Sequence, residues 1–450
     1  MKDLDQLIHG GTVVTDQSIG PAEIGVVDGK IAVINPHIDA AARDRIDAAG
    51  LHVFPGLIDA HVHFNEPGRA HWEGIETGSR ALAAGGGTLF FDMPLNAHPP
   101  TLDAESFDLK KVAAEAKSVV DFAFWGGLVP HNLDRLEELG ERGVVGFKAF
   151  MAESGIDDFP RVEEQHLREG MRRAAALGLP VAVHAESDAL TKRLAQECLA
   201  EGRSSVRDYL ESRPIAAELE AIERAIMLAS ETGCALHVVH VSSGPGIELI
   251  VQAREKGLDV SCETCPHYLI LTEGDMERIG AIAKCAPPLR PINERENLWR
   301  HVLAEQVTTI GSDHSPSPPE MKAGADFFKV WGGISGVQHT RPLLLTEGHV
   351  NRAMALQQIA KLTSVNVSRR FKLRSKGRLA VGTDADFALV DLAQSFQVRG
   401  EDLLYRHPHS PYVGRKLQGQ TMRTFVRGRE VFRDGKIIAS RAGRLIRPNL

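Results

Sequence analysis

His61-Val62-His63 closes an apolar run, Val53-Phe54-Pro55-Gly56-Leu57-Ile58-Asp59-Ala60. On a strand, successive side chains alternate faces, so the two imidazoles share one face while Val62 takes the other. Two imidazoles side by side at the end of a buried strand can grip one metal ion together. Three other apolar runs end in the same kind of residue. Val181-Ala182-Val183-His184 and His237-Val238-Val239-His240 each finish on a histidine, and Thr308–Ser312 leads into Asp313-His314. A further run, Val144–Met151, encloses Lys148, whose ammonium is costly to bury without a partner or a chemical change. If these runs are strands of one sheet, His61, His63, Lys148, His184, His240 and Asp313 gather at one rim.

Neighbouring residues carry less. His237 lies three positions before His240, which on a strand is the opposite face, so a structural role is expected. His314 is expected to support Asp313 rather than to act as a ligand itself. His267 is placed near the end of a seventh strand, and Phe147 and Phe150 read as core. Cys262-Glu263-Thr264-Cys265 has CxxC spacing, but no second pair follows, and i and i+3 face opposite ways on a strand. Five cysteines in 450 residues do not make a disulfide framework.

The elements that must position these residues are legible as a pattern. Eight apolar runs occur at 54–64, 88–93, 122–129, 144–151, 180–185, 235–241, 260–269 and 308–312. Several are continuous rather than alternating, as in parallel strands buried on both faces. Helical stretches lie between them, such as Glu73–Ala84, Ser106–Ser118, Val162–Leu177, Ala216–Thr232 and Gly246–Lys256. Eight such units in sequence predict an α/β fold, a (β/α)₈ TIM-type barrel over residues 54–375 with its active site at the C-terminal strand ends. The flanks, 1–53 and 376–450, read instead as short strands and tight turns such as Asp28-Gly29 and Arg427-Gly428. Neither flank is large enough for its own core, so the two are expected to form one small β-sandwich domain.

Composition narrows the function. A net charge of -7 with dispersed basic residues gives no nucleic-acid surface, and no apolar run reaches the roughly 18 residues a membrane span requires. The first residues lack a secretory signal pattern, and a cytoplasmic location is expected.

The rim set resembles the amidohydrolase superfamily, in which a lysine carboxylated by CO₂ bridges two divalent metal ions. That resemblance implies that His61, His63, Lys148 and Asp313 hold the buried ion, while Lys148, His184 and His240 hold the outer one. It implies N6-carboxylysine at Lys148, a bridging hydroxide as nucleophile, and Asp313 as general base and acid. Zn²⁺ suits the donors, as do Mn²⁺, Co²⁺ or Fe²⁺. Within the superfamily the chain is similar to the cyclic amidases from Gly11 to Gly435. Dihydroorotases carry an arginine where this chain has Asn65, and hydantoinases carry a tyrosine where it has Glu153. The stretches Asn65–Arg69, Trp72–Gly74, Asp92–Asn96 and Lys148–Met151 are closely similar to allantoinases. The implied reaction is hydrolytic opening of the allantoin ring to allantoate, with substrate held by Asn96 and by backbone groups near Cys285 and Gly333. The alternatives are a hydantoinase- or dihydropyrimidinase-type amidase and a non-catalytic scaffold relative, against which the intact ligand set speaks. The resemblance also implies a homo-oligomer, a tetramer.

Overall fold

The computed structural model describes residues 3–450. Eight strands build the barrel: β1 (Leu57–Val62), β2 (Gly87–Asp92), β3 (Asp121–Phe124), β4 (Phe147–Phe150), β5 (Val181–His184), β6 (Leu236–Val238), β7 (Val260–Thr264) and β8 (Thr309–Ile310). All neighbouring pairs are parallel. Trp125 interrupts the third strand, whose first part pairs with β2 while its continuation, Gly126–Gly127, pairs with β4. The seam between β8 and β1 closes through a bridge between Val62 and His314, where the His63 N–H donates to the His314 carbonyl at 2.8 Å.

The residues of β2, Gly-Thr-Leu-Phe-Phe-Asp, are all buried, as a strand covered on both faces requires. Helices fill the predicted intervals, at Ile75–Ala84, Ala104–Lys117, Glu164–Ala176, Ile215–Thr232 and Gly244–Glu255 among others. Asp103 caps the second of these reciprocally with Ser106, and Ser243 caps the last. The seventh strand is shorter than its apolar run suggests. It stops at Thr264, and Pro266–Ile270 forms a helical turn, so His267 is helical. Pro266 explains the switch, since proline suits the first helical position and cannot donate to a ladder.

Strands from both chain ends meet in one seven-stranded sheet, in which Phe387–Gln397 pairs antiparallel with His52–Pro55 and with Lys416–Val426. A four-stranded sheet from the N-terminal region lies against it, and Ile8, Ile24, Val53, Phe387 and Phe425 share the core between them. Below the barrel, Lys376 is buried among three carboxylates, Asp121 at 2.6 Å, Asp386 at 2.7 Å and Asp384 at 2.9 Å. Arg427 pairs with the same Asp121, so one ion cluster ties the start of β3 to the terminal sheet. No helix among the described residues is long and apolar enough to cross a membrane.

Candidate metal centre and active site

The predicted residues converge. His61, His63, His184, His240 and Asp313 line one cavity of about 510 Å³ at the C-terminal strand ends. Lys148 is fully buried, in register with Ala182 of β5. His61, His63 and Asp313 offer ligand atoms that all lie within 4.8 Å of one another. Asp313 Oδ1 is 3.3 Å from His61 Nε2 and 3.5 Å from His63 Nε2, and His184 Nδ1 is 3.2 Å from His240 Nε2. Asn96, Cys285 and Gly333 line the same cavity.

The local backbone departs from ideal strands where the ligand candidates sit. The β1–β2 register slips between Asp59 and Val62. His240 and Asp313 adopt left-handed φ values of 41° and 45°, and Asn96 one of 68°. Non-glycine residues seldom take this conformation, although His, Asp and Asn tolerate it better than most. The bend at His240 also corrects one expectation. His237 is not turned away from the barrel interior: it pairs in register with Ala182 and Ser261, and Ala182 pairs with Lys148, so all four share a face. Strict alternation fails because β6 ends at Val238 and the left-handed turn redirects His240. His237 nonetheless stays below the cavity, stacked on Trp125 and bonded to Ser261 Oγ at 2.8 Å.

Each cluster residue has a surrounding that suits cation binding. Burial lowers the pKa of His61 to about 4 and depresses those of His63, His184 and His240, so the imidazoles are neutral near pH 7 with lone pairs free to ligate. Burial would raise the Asp313 carboxyl, but the His61 and His63 rings beside it hold it well below the usual range. Burial also pulls the Lys148 ammonium down to about 7, and its Nζ has no hydrogen-bond partner among the described residues. A neutral, buried, unpartnered amine is the form able to attack CO₂. The donor set therefore fits hard or borderline divalent cations.

Two carboxylates in the cluster escaped sequence reading. Glu263 Oε1 bonds His61 Nδ1 at 2.8 Å, and Glu186 Oε2 bonds His184 Nε2 at 2.8 Å, leaving the other nitrogen of each ring toward the cluster. Such carboxylate contacts fix the tautomer and orientation of a ligating imidazole. Burial, reinforced by Asp313, pushes Glu263 up to about 8. Burial opposes ionisation of Glu186 too, yet Arg213 and His184 hold it down at about 2. The signal for Glu263 was present: a charged residue inside an apolar run, two positions from Ser261 and so on the face shared with Lys148. Asp59 was missed as well. Its carboxylate accepts the Ser312 N–H at 3.0 Å and so anchors the residue before Asp313.

Some residues take other places. Phe150 is not purely core, since it lines the cavity and stacks on His184 with ring centroids 4.7 Å apart. His314 is turned away, its Nδ1 accepting the Gly336 N–H at 3.1 Å. Asn65 does not line the cavity and donates to the Pro316 carbonyl at 3.4 Å. Glu153 lies at the mouth, 3.6 Å from Arg161.

Residues 52–431 match the amidohydrolase family. The chain is 56% identical to the allantoinase of Rubrobacter xylanophilus over 448 residues, covering 100% of this chain and 98% of that relative. It is 52% identical to the allantoinase of Deinococcus radiodurans, with 99% of each covered. Among solved structures it resembles the L-hydantoinase (dihydropyrimidinase) of Arthrobacter aurescens, with a TM-score of 0.96 at 35% identity over 99% of this chain and 100% of that one. A His-His-Asp cluster able to hold a metal ion at the mouth of a parallel barrel and a family match across most of the sequence agree: the chain belongs to the amidohydrolase family.

Proposed function

We propose that this chain is an allantoinase, opening the hydantoin ring of allantoin by hydrolysis to give allantoate. The observation that carries the proposal is end-to-end similarity to allantoinases combined with an intact ligand cluster in the cavity. In this reading His61, His63, Lys148 and Asp313 hold one divalent ion, and Lys148, His184 and His240 hold a second, with Lys148 carboxylated by CO₂. Zn²⁺ is the proposed metal. Such ions, when bound, supply Lewis-acid polarisation of a ring carbonyl and acidify water.

The chain's own residues supply the rest. Asp313, lowered below the usual carboxyl range and so ionised at neutral pH, accepts a proton from the attacking water and delivers it to the departing ring nitrogen. Glu263 and Glu186 hold His61 and His184 in their ligating orientations. Asn96, whose Nδ2 lies 3.4 Å from His63 Nδ1 and 3.5 Å from Ser315 Oγ, presents an amide at the cavity wall to the ureido group of the substrate. Cys285 and Gly333 contribute backbone contacts. The proposed domain division, 1–53 with 376–450 against 54–375, is supported by the sheet shared between the two chain ends. A cytoplasmic homotetramer is the proposed state, on family resemblance, and light scattering of the purified protein checks the subunit number.

The likeness to a hydantoinase structure favours a second reading, hydantoin or dihydropyrimidine hydrolysis. Side-by-side assays on allantoin, hydantoin, dihydrouracil and dihydroorotate decide between them. Allantoin should have the highest kcat/KM by a wide margin, and equal or better turnover of hydantoin would overturn the assignment.

A further inference from the structure

We propose that Lys284 and Lys322 are positioning residues for substrate binding, two ammonium groups that gather the carbonyls of the Phe327–Gly333 loop and thereby set one wall of the active-site cavity. Lys284 is buried, and its Nζ donates to the carbonyls of Val330 at 2.5 Å, Phe327 at 2.6 Å and Phe328 at 3.5 Å. Lys322 Nζ donates to the carbonyls of Gly333 at 2.7 Å and Trp331 at 3.1 Å. Neither forms an ion pair among the described residues, so five carbonyls of one short loop are their polar surroundings. Lys284 lies over the rings of Tyr209 and Phe327, 4.6 and 5.1 Å from their centroids.

Burial pulls both amines down to about 7, as it does Lys148, but the carbonyls that Lys148 lacks favour the protonated form, whose three donors in a compact tetrahedral head can draw several carbonyls of a non-regular loop to one point. Burying it without a carboxylate is costly, which is poor economy for a loop that only has to cover the core. This loop does more. Phe328, Val330, Trp331 and Gly333 all line the cavity. The loop is also sewn to the site on both sides. The Gly333 N–H donates to the Lys284 carbonyl at 2.8 Å, next to the cavity residue Cys285, and the Ser315 N–H donates to the Ile334 carbonyl at 2.9 Å, two residues past Asp313. Gly333 has φ 118°, and a Cβ there would sit 2.1 Å from the Ser315 carbonyl oxygen, so the loop and the Asp313 segment are in contact at the backbone. Both the N–H and the C=O of Gly333 are thus engaged by the clamp, which fixes the backbone edge that this residue presents to the cavity.

The inference rests on the ring-amide hydrolase reading for its kinetic test, and a second readout is independent of it. Lys284→Met and Lys322→Met keep the apolar stem and remove the donors. Each should raise KM for allantoin about tenfold or more while leaving kcat and bound metal near wild type, the pattern of lost binding rather than lost chemistry. Hydrogen exchange of the Phe327–Gly333 amides should quicken in both variants, and the double variant should cost less than the product of the singles, because both lysines hold one loop. If Lys284→Met does not fold, Lys322→Met alone decides. Unchanged KM together with unchanged exchange in the folded variants would overturn the clamp, as would a fall in kcat that tracks metal content. Should wild-type protein fail to turn over allantoin, the functional reading fails by itself, and the exchange measurement still judges the clamp.

Discussion

Two lysines in this molecule are equally buried and opposite in character. Lys376, beneath the barrel, is 1% exposed and sits among Asp121, Asp384 and Asp386, which raise its pKa above the usual lysine value despite burial. Lys148, at the upper rim, is 0% exposed, has no hydrogen-bond partner among the described residues, and is lowered to about 7. Burial opposes the charge in both. What differs is the partner set, and the partner set separates an ionic staple from a group awaiting chemistry. The same contrast runs through the carboxylates: those below are consumed by Lys376 and Arg427, while Glu263 above keeps one oxygen without a partner among the described residues.

Four measurements would break or sharpen this contrast. The largest effect is expected at Lys148→Ala, which should fold yet lose the two-ion site and nearly all turnover. Acetate or propionate should restore part of it by occupying the vacated space, and equal concentrations of chloride should not. An intact mass showing unmodified lysine in fully active wild-type protein would remove the bridging role. Asp313→Asn comes next, with kcat lower by about 10²- to 10⁴-fold, the usual contribution of a positioned acid–base group. Near-normal kcat there would disqualify Asp313 as the base. Glu186→Gln should weaken metal retention about 10- to 100-fold, the range typical for a group that orients a ligand, measured by competition with a chelator. Full retention would mean that Glu186 serves only Arg213. Lastly, Lys376→Met should leave turnover per folded molecule unchanged while lowering stability by about 3–5 kcal/mol, since three carboxylates lose their shared cation. A loss of activity in folded Lys376→Met would erase the functional difference between the two ends of the barrel.

The rim was readable because its residues break the pattern of their strands. Lys148 within an apolar run, and histidines closing three others, are local signals that need no tertiary knowledge. The eight-unit alternation was equally local, and the barrel follows from it. Glu186, two positions past His184, was within local reach and was overlooked, whereas the rest of what escaped was set by geometry between distant segments. Glu263 is 202 residues from the imidazole it supports, and Arg213 lies 27 residues from the carboxylate it holds. Glu263 also lies inside Cys262–Cys265, whose CxxC spacing was weighed and set aside without its carboxylate being considered. His237 was misplaced because alternation presumes that a strand continues, and β6 ends two residues before His240. The Lys376 cluster joins the start of β3 to residues more than 250 positions away, a contact that periodicity does not encode.

The left-handed backbone at His240 and Asp313 bears on how the fold would respond to removal of the proposed ions. Unfavourable backbone conformations at functional positions cost on the order of 1–3 kcal/mol each and persist only where the surroundings enforce them. In the ion-free protein that cost stands beside a buried amine with no hydrogen-bond partner among the described residues, with nothing bound to offset it. Ions that bind only the folded chain should therefore act as clasps on a sprung frame, and chelation should lower the thermal midpoint steeply. The ion-free Asp313→Gly variant, freed of the strain at that position, should melt above ion-free wild type even though it is inert. A rim geometry suited to turnover is thus set against stability of the ion-free fold.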